Sequence, residues 1–192
     1  MRRKRVGVLI SGRGSNMAAL VEAARDPTYP AEIVCVVSNR PDATGLKFAQ
    51  DQNISTHVTD HKGYATREAF DAALNDYLQS QKLDLIACAG FMRIMTSVLL
   101  EPWAGKMINI HPSLLPLYKG THTHERALAD GVKVHGCSVH YMTEELDGGP
   151  VITRAEVPVL PGDTPESLSA RVLVEEHKLY PKALAMVASR IT

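Results

Sequence analysis

Short apolar runs, each followed by a turn and a helix-like segment, constrain this chain more than any other feature. Val6–Gly7–Val8–Leu9–Ile10 and Ile33–Val34–Cys35–Val36–Val37 contain no polar residue. Such uninterrupted runs suit strands buried on both faces, as in a parallel sheet covered by helices. Leu83–Ala89 reads as another such strand, Thr56–Val58 as a short one, and Met107–His111 as the next. Between them, Met17–Ala24, Thr44–Gln52 and Arg67–Leu78 read as helices. In Arg67–Leu78 the residues Phe70, Leu74, Tyr77 and Leu78 fall on one side at helical spacing. Thr96–Leu100 reads as a short helix with Thr96 as its cap. The expectation is an α/β fold over residues 1–192: one domain, Rossmann-like, with a mainly parallel sheet flanked by helices.

Beyond His111 the pattern changes. Pro112–Gly120 holds two prolines and a glycine and reads as a loop, with a cis Leu115–Pro116 peptide expected from its tight turn. His124–Asp130 reads as a helix. Gly136–Met142 and Val151–Val157 read as a C-terminal antiparallel strand pair about the turn Asp147–Gly148–Gly149–Pro150. Asp163–Thr164–Pro165–Glu166 carries a capping side chain and a first-turn proline, so it opens a long final helix. That helix is expected to reach about Ser189 and to bend near Pro181.

Lysine plus arginine (21) equals aspartate plus glutamate (21), which argues against a general nucleic-acid or membrane-surface binder. The basic start Arg2–Arg3–Lys4–Arg5 is expected to be a solvated terminus. It leads into only Val6–Ile10 before Ser11–Gly12, so no secretory leader is expected, and no apolar run approaches a membrane span. The three cysteines have no CxxC spacing and sit in apolar or strand-like segments, which fits buried thiols in a reducing, cytoplasmic setting.

Several residues could carry chemistry. The turn Ser11–Gly12–Arg13–Gly14–Ser15–Asn16 lies between a strand and a helix, where glycines admit a ligand and a helix start offers free N–H groups to an anion. Met17 occupies the place of the third glycine of a dinucleotide fingerprint, and no Walker lysine follows, so a single phosphate suits this turn better. An ordinary strand-to-helix turn is the competing reading. His122, His124, His135 and His140 match no strong zinc spacing, and no metal is expected. His57 and His61 are expected in a surface turn with no role. Asn109 and His111, two residues apart on a strand that Pro112 ends, point to one face. An aspartate near that histidine, such as Asp147, fixes its tautomer, and the imidazole can then move protons. The Asn109 amide can donate to an oxyanion, a role worth about 3–4 kcal/mol. The context of Ser113 lacks a nucleophile elbow, so attack by a substrate amine or by water is favoured over an acyl-enzyme.

From about Val6 to Pro181 the chain resembles the folate-dependent formyltransferases. The resemblance rests on Ser11–Asn16, Ser38–Asn39–Arg40, Ala89–Gly90–Phe91–Met92–Arg93–Ile94, Asn109–Ile110–His111–Pro112–Ser113–Leu114–Leu115–Pro116, His122–Thr123–His124–Glu125, His135–His140, Glu145–Pro150 and Glu176–Pro181. It implies that the amine of glycinamide ribonucleotide attacks the formyl carbon of 10-formyltetrahydrofolate in purine biosynthesis. It further implies a catalytic trio of Asn109, His111 and Asp147, with the ribonucleotide held by Gly14, Ser15, Asn16 and Glu176. The folate is then expected at Arg67, at Met92, Arg93, Ile94 and Met95, and at Thr143, Glu144, Glu145 and Leu146. Met95 and Thr121 stand where leucine is frequent in the family. A formyltetrahydrofolate hydrolase using the same trio, for which an extra N-terminal regulatory domain is expected, and a non-catalytic nucleotide-binding module are the alternatives. The chain is expected to act as a monomer or homodimer, without nucleic acid or membrane.

Overall fold

A computed structural model describes residues 2–191. Its elements, in chain order, are β1 (Lys4–Ile10), α1 (Ser15–Ala23), β2 (Ala31–Ser38), α2 (Gly45–Asp51), β3 (Ser55–Val58), α3 (Arg67–Ser80) and β4 (Leu85–Cys88). Then follow α4 (Ser97–Leu100), β5 (Met107–His111), α5 (Thr123–Ala129), β6 (Val134–Tyr141), β7 (Val151–Pro158) and α6 (Pro165–Arg190). The strands form one seven-stranded sheet in the order β3-β2-β1-β4-β5-β6-β7. β1 to β5 are parallel, and β6 and β7 are antiparallel to their neighbours. The expected mainly parallel α/β sheet with an antiparallel C-terminal pair and a long last helix is therefore present.

Residue parity explains why two helical layers are needed. Along β1, Val6, Val8 and Ile10 join one core with residues of α1, α2 and α6, whereas Leu9 joins a second core with α3 and α4. On β4, Leu85 and Ala87 face the first core, and Ile86 and Cys88 face the second. With both faces apolar, each strand must be covered twice. α6 supplies much of the first cover through Leu168, Val172, Ala183, Leu184 and Val187, all at most 1% exposed. It starts at a capping box, with Thr164 Oγ1 accepting from Ser167 N–H (3.2 Å) and Ser167 Oγ accepting from Thr164 N–H (2.9 Å). Pro181 does not interrupt it.

The sequence expectations fail at three places. The basic start is not a loose solvated terminus. Arg3 donates to the carbonyls of Tyr29, Ala31 and Ala24, the last just past α1. Arg5 donates to Gln81 O (2.9 Å) and Lys82 O (3.1 Å), just past α3. Two guanidiniums thus satisfy carbonyls that helix ends leave open, where the helix dipole also favours a cation. Thr96 precedes α4 but makes no side-chain cap bond; Asp71 accepts from both its N–H (2.6 Å) and its hydroxyl (2.8 Å). His57 lies on β3, not in a turn, and stacks on Tyr77 with ring centroids 3.8 Å apart. The Leu115–Pro116 peptide is cis, as expected.

The chain runs outward from β1 to β3 and returns on the other side of β1 to β4, so the carboxyl ends of β1 and β4 flank a topological switch. Open α/β sheets take ligands at such a point. Beside it, buried Tyr180 of α6 donates to Cys88 O (2.8 Å), and its hydroxyl is also 3.2 Å from Ile108 O, tying β4 to β5. Tyr180→Phe is expected to cost about 1–3 kcal/mol, because a buried carbonyl loses its donor, and urea unfolding measures it.

Candidate functional site

Three loops that follow strands carry the candidate residues. The first follows β1. Gly14 caps α1 with φ 68°, a conformation that side chains disfavour, and Ser15 and Asn16 open the helix. Asn16 Nδ2 donates to Glu176 Oε1 across 3.3 Å, joining the start of α1 to the middle of α6. Glu176 is 8% exposed. Burial pushes its carboxyl up, and the Asn16 amide opposes that. Gly14, Ser15, Asn16 and Glu176 are therefore neighbours, and the buried Asn16 Oδ1 has no protein partner among the described residues.

The second loop follows β4. Met92 N–H donates to Ser11 Oγ (2.8 Å) and Ser11 N–H to Gly90 O (3.1 Å), so this loop is tied to the first. Asp71 anchors its far end at Thr96, and the Arg93 guanidinium lies 4.6 Å above the Phe70 ring. Met92 (73%) and Ile94 (56%) are exposed apolar side chains, while Met95 turns into the second core. Arg67 is exposed at the start of α3, one turn before Phe70. On the β2 side, Ser11, Gly12, Asn39, His61, Gly90 and Arg93 are among the residues lining a cavity of about 410 Å³. The sequence reading gave His61 no role. Only the return of the chain at the switch point brings its turn beside Arg93.

The third loop is the β6–β7 turn. Asp147 adopts φ 50° there, and its carboxylate meets both strands beside it. Oδ2 is 3.4 Å from His111 Nδ1 and accepts from Gly120 N–H at 2.8 Å. Oδ1 is 3.6 Å from His140 Nε2. His111 is 6% exposed, and its Nε2 donates to Tyr118 O at 2.9 Å. Both ring nitrogens thus face oxygen acceptors, so a ring with both protons has a partner for each. Asn109, on the same face of β5, is half-buried, with His140 directly opposite on β6. The expected trio is brought together, with Thr143, Glu144, Glu145 and Leu146 exposed along its rim. Lys119 and Glu145 pair at 2.7 Å across that rim, and the ammonium holds the carboxyl down.

Neither Ser113 nor a cysteine stands ready as a nucleophile. Ser113 is fully buried and donates to Leu117 O (2.5 Å). All three cysteines are free and buried, and burial pushes the thiols up, to about 11 at Cys35 and about 12 at Cys88 and Cys137. His124 Nδ1 and His135 Nε2 lie 3.2 Å apart, a contact between the two rings, and no metal-holding cluster occurs among the described residues.

Two outcomes follow from this geometry. A methyl group on Gly149 would stand 1.8 Å from Tyr141 O, so Gly149→Ala must displace the turn that carries Asp147. The variant is expected to fold but to lose His111–Asp147 contact, seen as a changed His111 side-chain NMR signal. Second, burial, then His124 and His111, push the His135 ring from 6.5 down to about 4. The unfolded chain therefore takes up this proton first. The stabilising contribution is complete above pH 6.5 and falls as pH drops toward about 4. His135→Gln is expected to show a weaker loss of denaturation midpoint than the parent between about pH 7 and about pH 5.

Residues 4–184 match the family model described as formyl transferase. The chain is 44% identical over 181 residues to phosphoribosylglycinamide formyltransferase of Escherichia coli (strain K12), covering 94% of this chain and 85% of that protein. It is 48% identical over 188 residues to the trifunctional purine biosynthetic protein adenosine-3 of Bos taurus, covering 98% of this chain but 19% of that protein. The chain thus spans about a fifth of the length of this larger relative. Among solved structures it is similar to phosphoribosylglycinamide formyltransferase from Brucella melitensis, with 49% identity, a TM-score of 0.94, and coverage of 100% of this chain and 98% of that one.

Proposed function

The chain belongs to the formyl transferase family, and from that membership we propose that it moves the formyl group of 10-formyltetrahydrofolate onto the amine of glycinamide ribonucleotide. The products are N-formylglycinamide ribonucleotide and tetrahydrofolate, a step of purine biosynthesis. The observation that carries this reading is the meeting of Asp147 with His111 on the strand face that also bears Asn109, in a fold whose α1 start suits an anion.

The ribonucleotide phosphate meets the free N–H groups at Gly14, Ser15 and Asn16, and Glu176 accepts from the ribose hydroxyls. The pterin lies along Met92–Met95 and Thr143–Leu146, using backbone hydrogen bonds and the exposed Met92, Ile94 and Leu146 side chains. Arg67 meets the carboxylate tail. The amine nitrogen attacks the formyl carbon directly, since the serine and thiols nearby are buried or engaged. A bond forms from nitrogen to carbon, and the carbonyl oxygen becomes an oxyanion. Asn109 Nδ2–H and protonated His111 stabilise that charge. The amine gives up a proton, the folate nitrogen N10 receives one by way of His111 or a water, and the carbon–N10 bond breaks. Asp147 supports the charged imidazole through Nδ1. In this structure Tyr118 O occupies Nε2, so that carbonyl must give way before Nε2 reaches substrate. No metal takes part. The protein works in the cytoplasm, as monomer or homodimer; among the described residues no helix is long and apolar enough to cross a membrane.

The test is tetrahydrofolate formation from 10-formyltetrahydrofolate, followed spectrophotometrically with and without glycinamide ribonucleotide. Turnover only with the amine is expected. Formate release without it would make the protein a hydrolase, and binding without turnover a non-catalytic module. In the same assay, His111→Ala and Asp147→Asn are expected to lower kcat by about 100-fold or more with little change in folate affinity. Near-parental turnover in either would remove that residue from its role.

A further inference from the structure

His140 was given no role by sequence, yet it is the side chain that Asn109 touches. The two face each other across the β5–β6 ladder, and His140 is 1% exposed. Its Nδ1 lies 2.9 Å from Tyr141 O. A carbonyl oxygen only accepts, so Nδ1 carries a proton, and in the neutral ring Nε2 is a bare acceptor. That Nε2 lies 3.2 Å from Asn109 Nδ2. Only the N–H side of the amide can answer it. The flipped amide would set its oxygen lone pairs against those of the ring nitrogen. Asn109 makes no other side-chain hydrogen bond among the described residues, so its second N–H is left for a ligand.

The charged and titratable groups around the ring favour its neutral form. Burial pushes His140 down, and His111 pushes the same way, against the Tyr141 carbonyl and the Asp147 carboxylate. Asp147 Oδ1, at 3.6 Å from Nε2, is beyond hydrogen-bonding reach.

We propose that His140 is a positioning residue, which accepts from Asn109 and so fixes the amide with its free N–H toward the formyl oxygen. Without this contact an asparagine side chain turns about its terminal torsion, which is broad and roughly two-fold. In the turned state Oδ1 faces the developing oxyanion and repels it. The inference rests on the formyl transfer proposed above.

His140→Leu removes the acceptor, whereas the Oε1 of His140→Gln reaches roughly the place of Nε2 and restores it. The Leu variant is expected to lose roughly 10- to 100-fold in kcat with KM for both substrates near the parental values, and the Gln variant to recover most of the loss. A Leu variant with parental kcat, or a Gln variant no better than Leu, overturns the assignment. A separate measurement does not depend on any variant folding. The ¹⁵N spectrum of the histidines in the parent protein should show His140 protonated at Nδ1 and bare at Nε2 at neutral pH. A proton on Nε2 overturns the proposal whatever the kinetics show. A parent protein that forms no tetrahydrofolate would defeat formyl transfer itself, while the ¹⁵N result still decides the His140–Asn109 contact.

Discussion

β5 is the strand on which this structure turns. It takes a parallel neighbour, β4, on one edge and an antiparallel one, β6, on the other. The parallel edge places its carboxyl end at the same side of the sheet as those of β1 and β4, where the first two loops lie. The antiparallel edge lets β6 run back past it, so that the turn after β6 returns close to Asn109 and His111.

The meeting of Asp147 with His111 depends on this reversal and on close backbone packing. Gly149 lies so near Tyr141 O that no side chain fits, and Tyr141 N–H donates to Pro150 O at 2.9 Å. The turn is thereby folded tightly over the strand end. The loop after β5 is pinned from below, where Ser138 Oγ donates to Ser113 O (2.7 Å) and accepts from Leu115 N–H (3.0 Å). From there it carries Tyr118 O and Gly120 N–H over the histidine and the aspartate. His111 and Asp147 are thus held by main-chain atoms more than by each other. That suits groups whose charge must change during a reaction, since a backbone carbonyl or N–H keeps its place when a side chain gains or loses a proton.

Much of the site was legible because it lies in short contiguous stretches. Asn109 and His111 needed only the two-residue period of a strand, and Gly14–Asn16 only the passage from strand to helix. Pairings between distant stretches were not legible. Arg3 and Arg5 at the start read as solvent-facing charge, because nothing in sequence says that helix ends come to rest beside them. His140 read as one histidine among several, because its partner is set by register, and register is a property of two strands at once. His61 and the cavity beside Arg93 depend on the switch between β1 and β4.

The sequence by itself therefore determined the alternation of strand and helix, the antiparallel end of the sheet, and the side chains able to act. Those follow from local apolar patterning, from proline and glycine, and from side-chain chemistry. Only the tertiary structure decided which atoms meet: Asp147 with His111 and His140, Asn16 with Glu176, Arg3 and Arg5 with helix ends. The reason is physical. A hydrogen bond between distant residues depends on positions to a few tenths of an ångström. Those positions are set by how the strands register and how two helical layers pack upon them, which no single stretch of chain contains.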